Sequence, residues 1–206
     1  MRSDKSLFIL ETKTIVSGYR ALDVATRQQG VRVLEASPCG GGKFLLIAKG
    51  SAQVLASCRL AILTDLMPSG EVVDSEIVSL ASEEIEKAFY SLQQQPLEES
   101  LLVIESNTLA GLLYFADEFV GRLGLMPIEI KVQRSSIGSA YGFFTGSSDQ
   151  CRAATAVTMV VPTAGTTDTG LSAAGQVVVG SVARTITSIV INQPAESFRS
   201  FFNISG

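Results

Sequence analysis

The chain has 206 residues, 46% hydrophobic and 17% charged, with a formal net charge of −4. That composition supports a packed core rather than a disordered chain, and its mild acidity offers no basic stripe for nucleic acid. There is no histidine, which removes the commonest general base, the usual Ser–His and Cys–His nucleophile pairs, and histidine-containing metal sites.

The opening MRSDKSLFIL carries charges and then a short apolar run, too short for a signal peptide. No later run approaches the ~18–20 apolar residues of a membrane span. The expectation is a cytoplasmic protein with no membrane partner. A first strand is read over residues 7–11. A helix follows, with Ile15, Tyr19 and Leu22 on one face, and Gly30 stands where a helix C-cap is expected. A second strand covers residues 31–36. The turn SPCGGGK then leads into a third strand at residues 44–48. Ser51 is an acceptable N-cap for a second helix, and a strand at residues 76–80 closes the set. SEEIE, residues 82–86, begins a short helix, and QQQP, residues 93–96, reads as a linker.

The same order then recurs. A strand covers residues 101–105, and a helix carries Leu109, Leu112, Leu113 and Ala116 before Gly124. Strands follow at residues 126–132 and 141–145, then a helix after Ser147 and a strand at residues 185–191. Aligning the halves matches Glu11 with Glu105, Thr14 with Thr108, and Asp23 with Asp117. Gly30 matches Gly124 and Glu35 matches Glu129. After a two-residue slip in a loop, Gly50-Ser51 matches Gly146-Ser147. The chain is therefore a duplication. Each copy has the order β-α-β-β-α-β, the split βαβ or ferredoxin-like pattern of an α+β protein. The expected domains are residues 1–96, with a C-terminal linker, and residues 97–206. The second copy ends in PAESFRSFF, similar to the segment after the first. It also holds a Gly/Thr-rich insertion, residues 162–181, expected to form an exposed loop or extra hairpin on a face or rim.

The residues with chemical potential are few. Cys39, Cys58 and Cys151 form no CxxC pair, so disulfides are not expected. Cys58, in AQVLASCRLAIL, reads as a buried small hydrophobe; Cys151, near a helix start, reads as more exposed. Glu11 and Glu105 read as structural acceptors at a helix start rather than an acid–base pair. Asp23 and Asp117 read as packing or subunit-contact residues. GGGKFL lacks the spacing and Ser/Thr of a phosphate loop. By itself the triple glycine reads as an ordinary glycine-rich hairpin turn.

Taken together, the strands ending LET and IES, the Asp-bearing helices and the glycine turn before a Gly-ending strand resemble the bacterial microcompartment shell protein domain. Two copies in one chain resemble its tandem-domain, trimer-forming branch. The resemblance implies a non-enzymatic tile: a homotrimer forming a pseudohexameric disc that joins other microcompartment shell proteins in a cytoplasmic shell. It implies that the turn between the second and third strands of each copy lines a central pore. In the first copy these residues are Cys39, Gly40, Gly41 and Gly42, and in the second Ser136, Ile137 and Gly138. One subgroup of that branch carries a CPGKFLL-like turn whose cysteine, brought together three times, holds a [4Fe–4S] cluster. Here the turn reads CGGGKFLL, with the cysteine one residue further from the strand. A shared [4Fe–4S] cluster at Cys39, another soft metal and an unligated thiol all remain open. The family's edge lysine, four residues after the Asp, is replaced by Arg27 in the first copy and by Gly121, followed by Arg122, in the second. Asp23, Arg27, Asp117 and Arg122 are accordingly the expected subunit or tile contacts. The competing reading is an oligomeric ferredoxin-like regulatory protein that binds a small ligand.

Overall fold

The computed structural model describes residues 6–79, 83–90, 95–132, 139–160 and 186–199. The first copy contributes β1 (Ser6–Thr12), α1 (Ile15–Thr26), β2 (Arg32–Pro38), β3 (Phe44–Gly50), α2 (Ala52–Leu66) and β4 (Val72–Ser79). After α3 (Glu83–Phe89), the second copy contributes β5 (Ser100–Ser106), α4 (Leu109–Leu123), β6 (Met126–Val132), β7 (Ala140–Gly146), α5 (Ser148–Val160) and β8 (Ile186–Asn192). The last helix described is α6 (Glu196–Arg199). Two antiparallel sheets result, ordered β2-β3-β1-β4 and β6-β7-β5-β8. Both match the α+β, tandem ferredoxin-like expectation.

Local chemistry sets the helix starts. Ser17 N–H donates to Thr14 Oγ1 at 3.2 Å, and Gly111 N–H donates to Thr108 Oγ1 at 3.1 Å. The duplicated threonines are thus the N-caps of α1 and α4. Gly124 ends α4 in the left-handed conformation, φ 70°. Gly30 does not play that part for α1, which closes on Arg27 in a right-handed conformation. Gly30 turns the chain at φ 85° only after a further bend. β4 begins at Val72, ahead of the expected strand: Ser75 and Asp74 pair in register with Leu10 and Glu11, and a register shift then brings Val72 onto Thr12.

In the first unit α1 and α2 cover one sheet face, and Phe8, Leu10, Phe44, Leu46, Leu55 and Ile62 are fully buried there. The second unit fills the corresponding volume differently. In the duplication register Ala21, Ala25 and Ala48 become Phe115, Phe119 and Phe144, while Phe44 and Leu46 become Ala140 and Gly142. Phe119 and Phe144 meet edge to face at 5.5 Å. Bulk has moved between strand and helix positions, while the packed volume that holds each layer together is retained.

Residues 6–79 belong to one compact unit, and α3 lies with the other, packed on β6 and α4. Ile85 and Ala88 of α3 are fully buried in that packing.

Cys58 and Cys151 are both buried. Cys151 is more enclosed than its place near the start of α5 suggested. It matches Leu55 of α2 in the duplication register, and both are fully buried. Burial pushes the Cys58 thiol up to about 11. Burial, followed by the charges of Glu99 and Glu98, does the same for Cys151. The folded chain holds these protons more tightly than the unfolded chain, whose thiols ionise near ~8.5. Their contribution to stability is therefore complete below that pH and lost as pH rises toward 11. The unfolding free energy from urea titration should fall between pH 8 and 10.5 by up to about 2–3 kcal/mol per thiol. A Cys58→Ala/Cys151→Ala variant should show a clearly flatter dependence, and an equal slope would refute the assignment.

Candidate functional site at the Cys39 turn

β2 and β3 form a hairpin in which Pro38 faces Phe44. Cys39 N–H donates to Lys43 O at 2.9 Å and closes the loop. Between them Gly40, Gly41 and Gly42 make a single tight turn. Gly41 lies at φ 74° and Gly42 at φ 77°, two successive residues in the left-handed region where a Cβ is disfavoured. The turn's geometry therefore already requires glycine within one chain. Gly41 and Gly42 are exposed, and a Cβ on Gly42 would meet nothing within 4 Å. Gly40 is buried, and Cys39 is only 8% exposed.

At the root of the turn Lys43 Nζ lies 3.2 Å from Glu11 Oε2, and the two side chains are 14% and 2% exposed. Glu11 is thus not an acceptor at a helix start, a role Thr14 fills, but half of a buried ion pair. Its counterpart Glu105 is exposed. The duplication explains the difference, because the residue matching Lys43 is Ser139. A buried carboxylate needs its cation; without the lysine, the carboxylate stays in solvent. The sequence reading missed Lys43, although a lysine opening an apolar strand opposite a strand-end glutamate was a usable sign.

The expected contact residues lie on helix surfaces. Arg27 pairs with Asp23 at 2.9 Å, both well exposed. Arg122 pairs with Glu118 at 3.4 Å, and Asp117 is half-buried. Exposed pairs four residues apart are worth only about 0.3–0.5 kcal/mol, so they exchange partners readily. Ser136, Ile137, Gly138 and the insertion at residues 162–181 lie outside the described residues.

As an iron ligand, Cys39 has suitable chemistry, since a thiolate between a proline and glycines leaves room for a cluster. Its number is insufficient: among the described residues no group of three metal-ligating side chains exists in one chain. The residues fit a cluster only as a set contributed by several chains.

No protein-family model matches the sequence, nor does any curated protein. Solved structures do. A microcompartments protein from Desulfitobacterium hafniense DCB superposes with a TM-score of 0.69 at 22% identity, covering 95% of this chain and 98% of that one. A double-ringed trimeric shell protein from the RMM microcompartment gives a TM-score of 0.50 at 19% identity, covering 76% and 84%. The chain has the fold of microcompartment shell proteins.

Proposed function

We propose that this chain is a structural tile of a bacterial microcompartment shell, not an enzyme. Three copies form a ring of six alternating units, a pseudohexameric homotrimer that packs beside other shell proteins in the cytoplasm. The observation that carries this reading is the duplicated shell-protein fold running through nearly the whole chain. The lack of histidine agrees with a role without catalysis. In the ring, the turn of Gly40, Gly41 and Gly42 surrounds a central opening together with Ser136, Ile137 and Gly138, and small molecules pass through it. Asp23, Arg27, Asp117 and Arg122 supply contacts at the edges. Light scattering should give the mass of three chains, and electron microscopy should show extended sheets. A stable monomer would overturn the reading.

Within the same proposal, three Cys39 thiolates meet at the axis and hold a [4Fe–4S] cluster, which when bound supplies a one-electron relay. Cys39 is the iron ligand, Gly41 and Gly42 keep bulk away from the axis, and the Glu11–Lys43 pair anchors the turn. Because Cys39 is nearly buried in one chain, cluster loading requires the thiol to swing outward on its glycines. Anaerobic reconstitution should load about four irons per three chains in the wild type and almost none in Cys39→Ser. Equal uptake, or none in either, removes the cluster and leaves the tile.

A further inference from the structure

Among the described residues, β2 and β4 end the first sheet, and β6 and β8 end the second. An outer strand presents backbone N–H and C=O groups that can take up another strand, and charges or prolines along it oppose that pairing. β2 carries Arg32, Glu35 and Pro38, β4 carries Asp74 and Glu76, and β6 carries Pro127, Glu129 and Lys131. β8, ITSIVIN, has no charge and no proline, and five of its seven residues are β-branched.

The duplication locates the difference at two positions. Opposite Glu11 and Ile9 of β1 stand Asp74 and Glu76. Opposite the matching Glu105 and Val103 of β5 stand Thr187 and Ile189. Burial differs as well. Val72, Val73, Asp74, Ser75 and Val78 of β4 are buried, whereas every residue of β8 is half-buried or exposed. Ile189, at 58%, is the one exposed large hydrophobic residue on a strand among the described residues.

We propose that β8 joins a second copy of this chain by antiparallel pairing, β8 to β8, about a two-fold axis at Ile189. Ile189 is the middle residue of the strand, so this register pairs its whole length, with Thr187 opposite Ile191 and Ser188 opposite Val190. The two central isoleucines cover each other, and β-branched pairs across strands stabilise a sheet. No charged side chain lies on either strand. The same operation on β4, centred on Ser75, sets Asp74 opposite Glu76, and like charges directly opposite repel. On β6, centred on Glu129, it sets two carboxylates together on a strand that also carries a proline. β8 is therefore the edge suited to pairing with itself. Two such short strands bury too little for a stable pair in dilute solution. The contact links rings at the density of an assembly and is separate from the contacts that close a ring. It does not rest on the ring reading, because a two-fold strand contact joins single chains equally well.

Ile189→Cys tests the register directly, since its thiols meet on the axis. In concentrated protein, mild oxidation should give at least about tenfold more disulfide-linked dimer than in Thr187→Cys, whose thiols the register holds too far apart to bridge. Leu60→Cys, at an exposed apolar residue of α2, should also link poorly. Ile189→Lys sets two cations opposite each other at a position that is exposed in the isolated chain. The protein concentration at which extended assemblies form should rise by about tenfold or more. The light-scattering mass in dilute solution and the circular dichroism spectrum should stay as in the wild type. If Ile189→Cys links no better than Leu60→Cys, or Ile189→Lys assembles at the wild-type concentration, the β8 contact is wrong and the ring is untouched. If Ile189→Cys links as expected but the dilute protein is a single chain, the ring fails and the β8 contact stands.

Discussion

Lys43→Met is expected to destabilise the first unit by about 3–5 kcal/mol, because it leaves Glu11 buried without its cation. Lys43 and Glu11 lie 3.2 Å apart with little exposure on either side. The attraction offsets a desolvation cost that remains when only one partner goes. Removing both charges in Glu11→Gln/Lys43→Met should recover most of the loss, since no uncompensated ion is left. Urea unfolding of the two singles and the double would measure the coupling. A Lys43→Met loss below about 1 kcal/mol would mean the pair is solvated like a surface bridge. The consequence for function is local. Lys43 closes the Cys39 turn through its own carbonyl, so a shifted lysine would loosen the turn that the proposed opening depends on.

The second large effect is expected at Gly18. A Cβ there would overlap Phe44 Cγ, Cδ1 and Cβ. That overlap outweighs the ~1 kcal/mol that alanine normally gains over glycine inside a helix. Gly18→Ala should therefore cost about 3 kcal/mol, at the upper end for overpacking. The second copy shows how the same contact is made with the sizes exchanged. Gly18 corresponds to Leu112 and Phe44 to Ala140, and both counterparts are buried. Phe44→Ala alone should cost about 3–5 kcal/mol through its cavity. The Gly18→Leu/Phe44→Ala double variant should be more stable than the sum of the singles by at least about 2 kcal/mol. Strict additivity would show that the two units do not fill this layer by exchange of volume.

Much of the fold was legible because its signals are local. Strand alternation, helical spacing, capping threonines and turn glycines act within a few residues, and each recurs at a fixed offset in the second copy. The duplication then checked each assignment against its partner. Errors arose where that partner misled. Glu11 and Glu105 look equivalent in sequence, yet only one has a lysine opposite it. Gly30 and Gly124 look equivalent, yet α1 stops at Arg27. The insertion at residues 162–181 has no partner in the first copy, so no comparison constrained it.

By itself the sequence determined the element order, the duplication and the ferredoxin-like class, because periodicity in hydrophobicity and the preferences of Thr and Gly are properties of neighbouring residues. It also determined that two successive glycines follow a cysteine and a third glycine at one turn. Only the tertiary structure decided that Gly41 and Gly42 both take positive φ, that Cys39 is turned inward, and that Glu11 finds Lys43 across β1 and β3. Only it decided that α3 packs with the second unit and that Val16 of α1 is exposed. These outcomes depend on which residues meet across strands and layers. Such meetings are set by sheet register and by the volume available at each contact, and neither is written in any one segment of the chain.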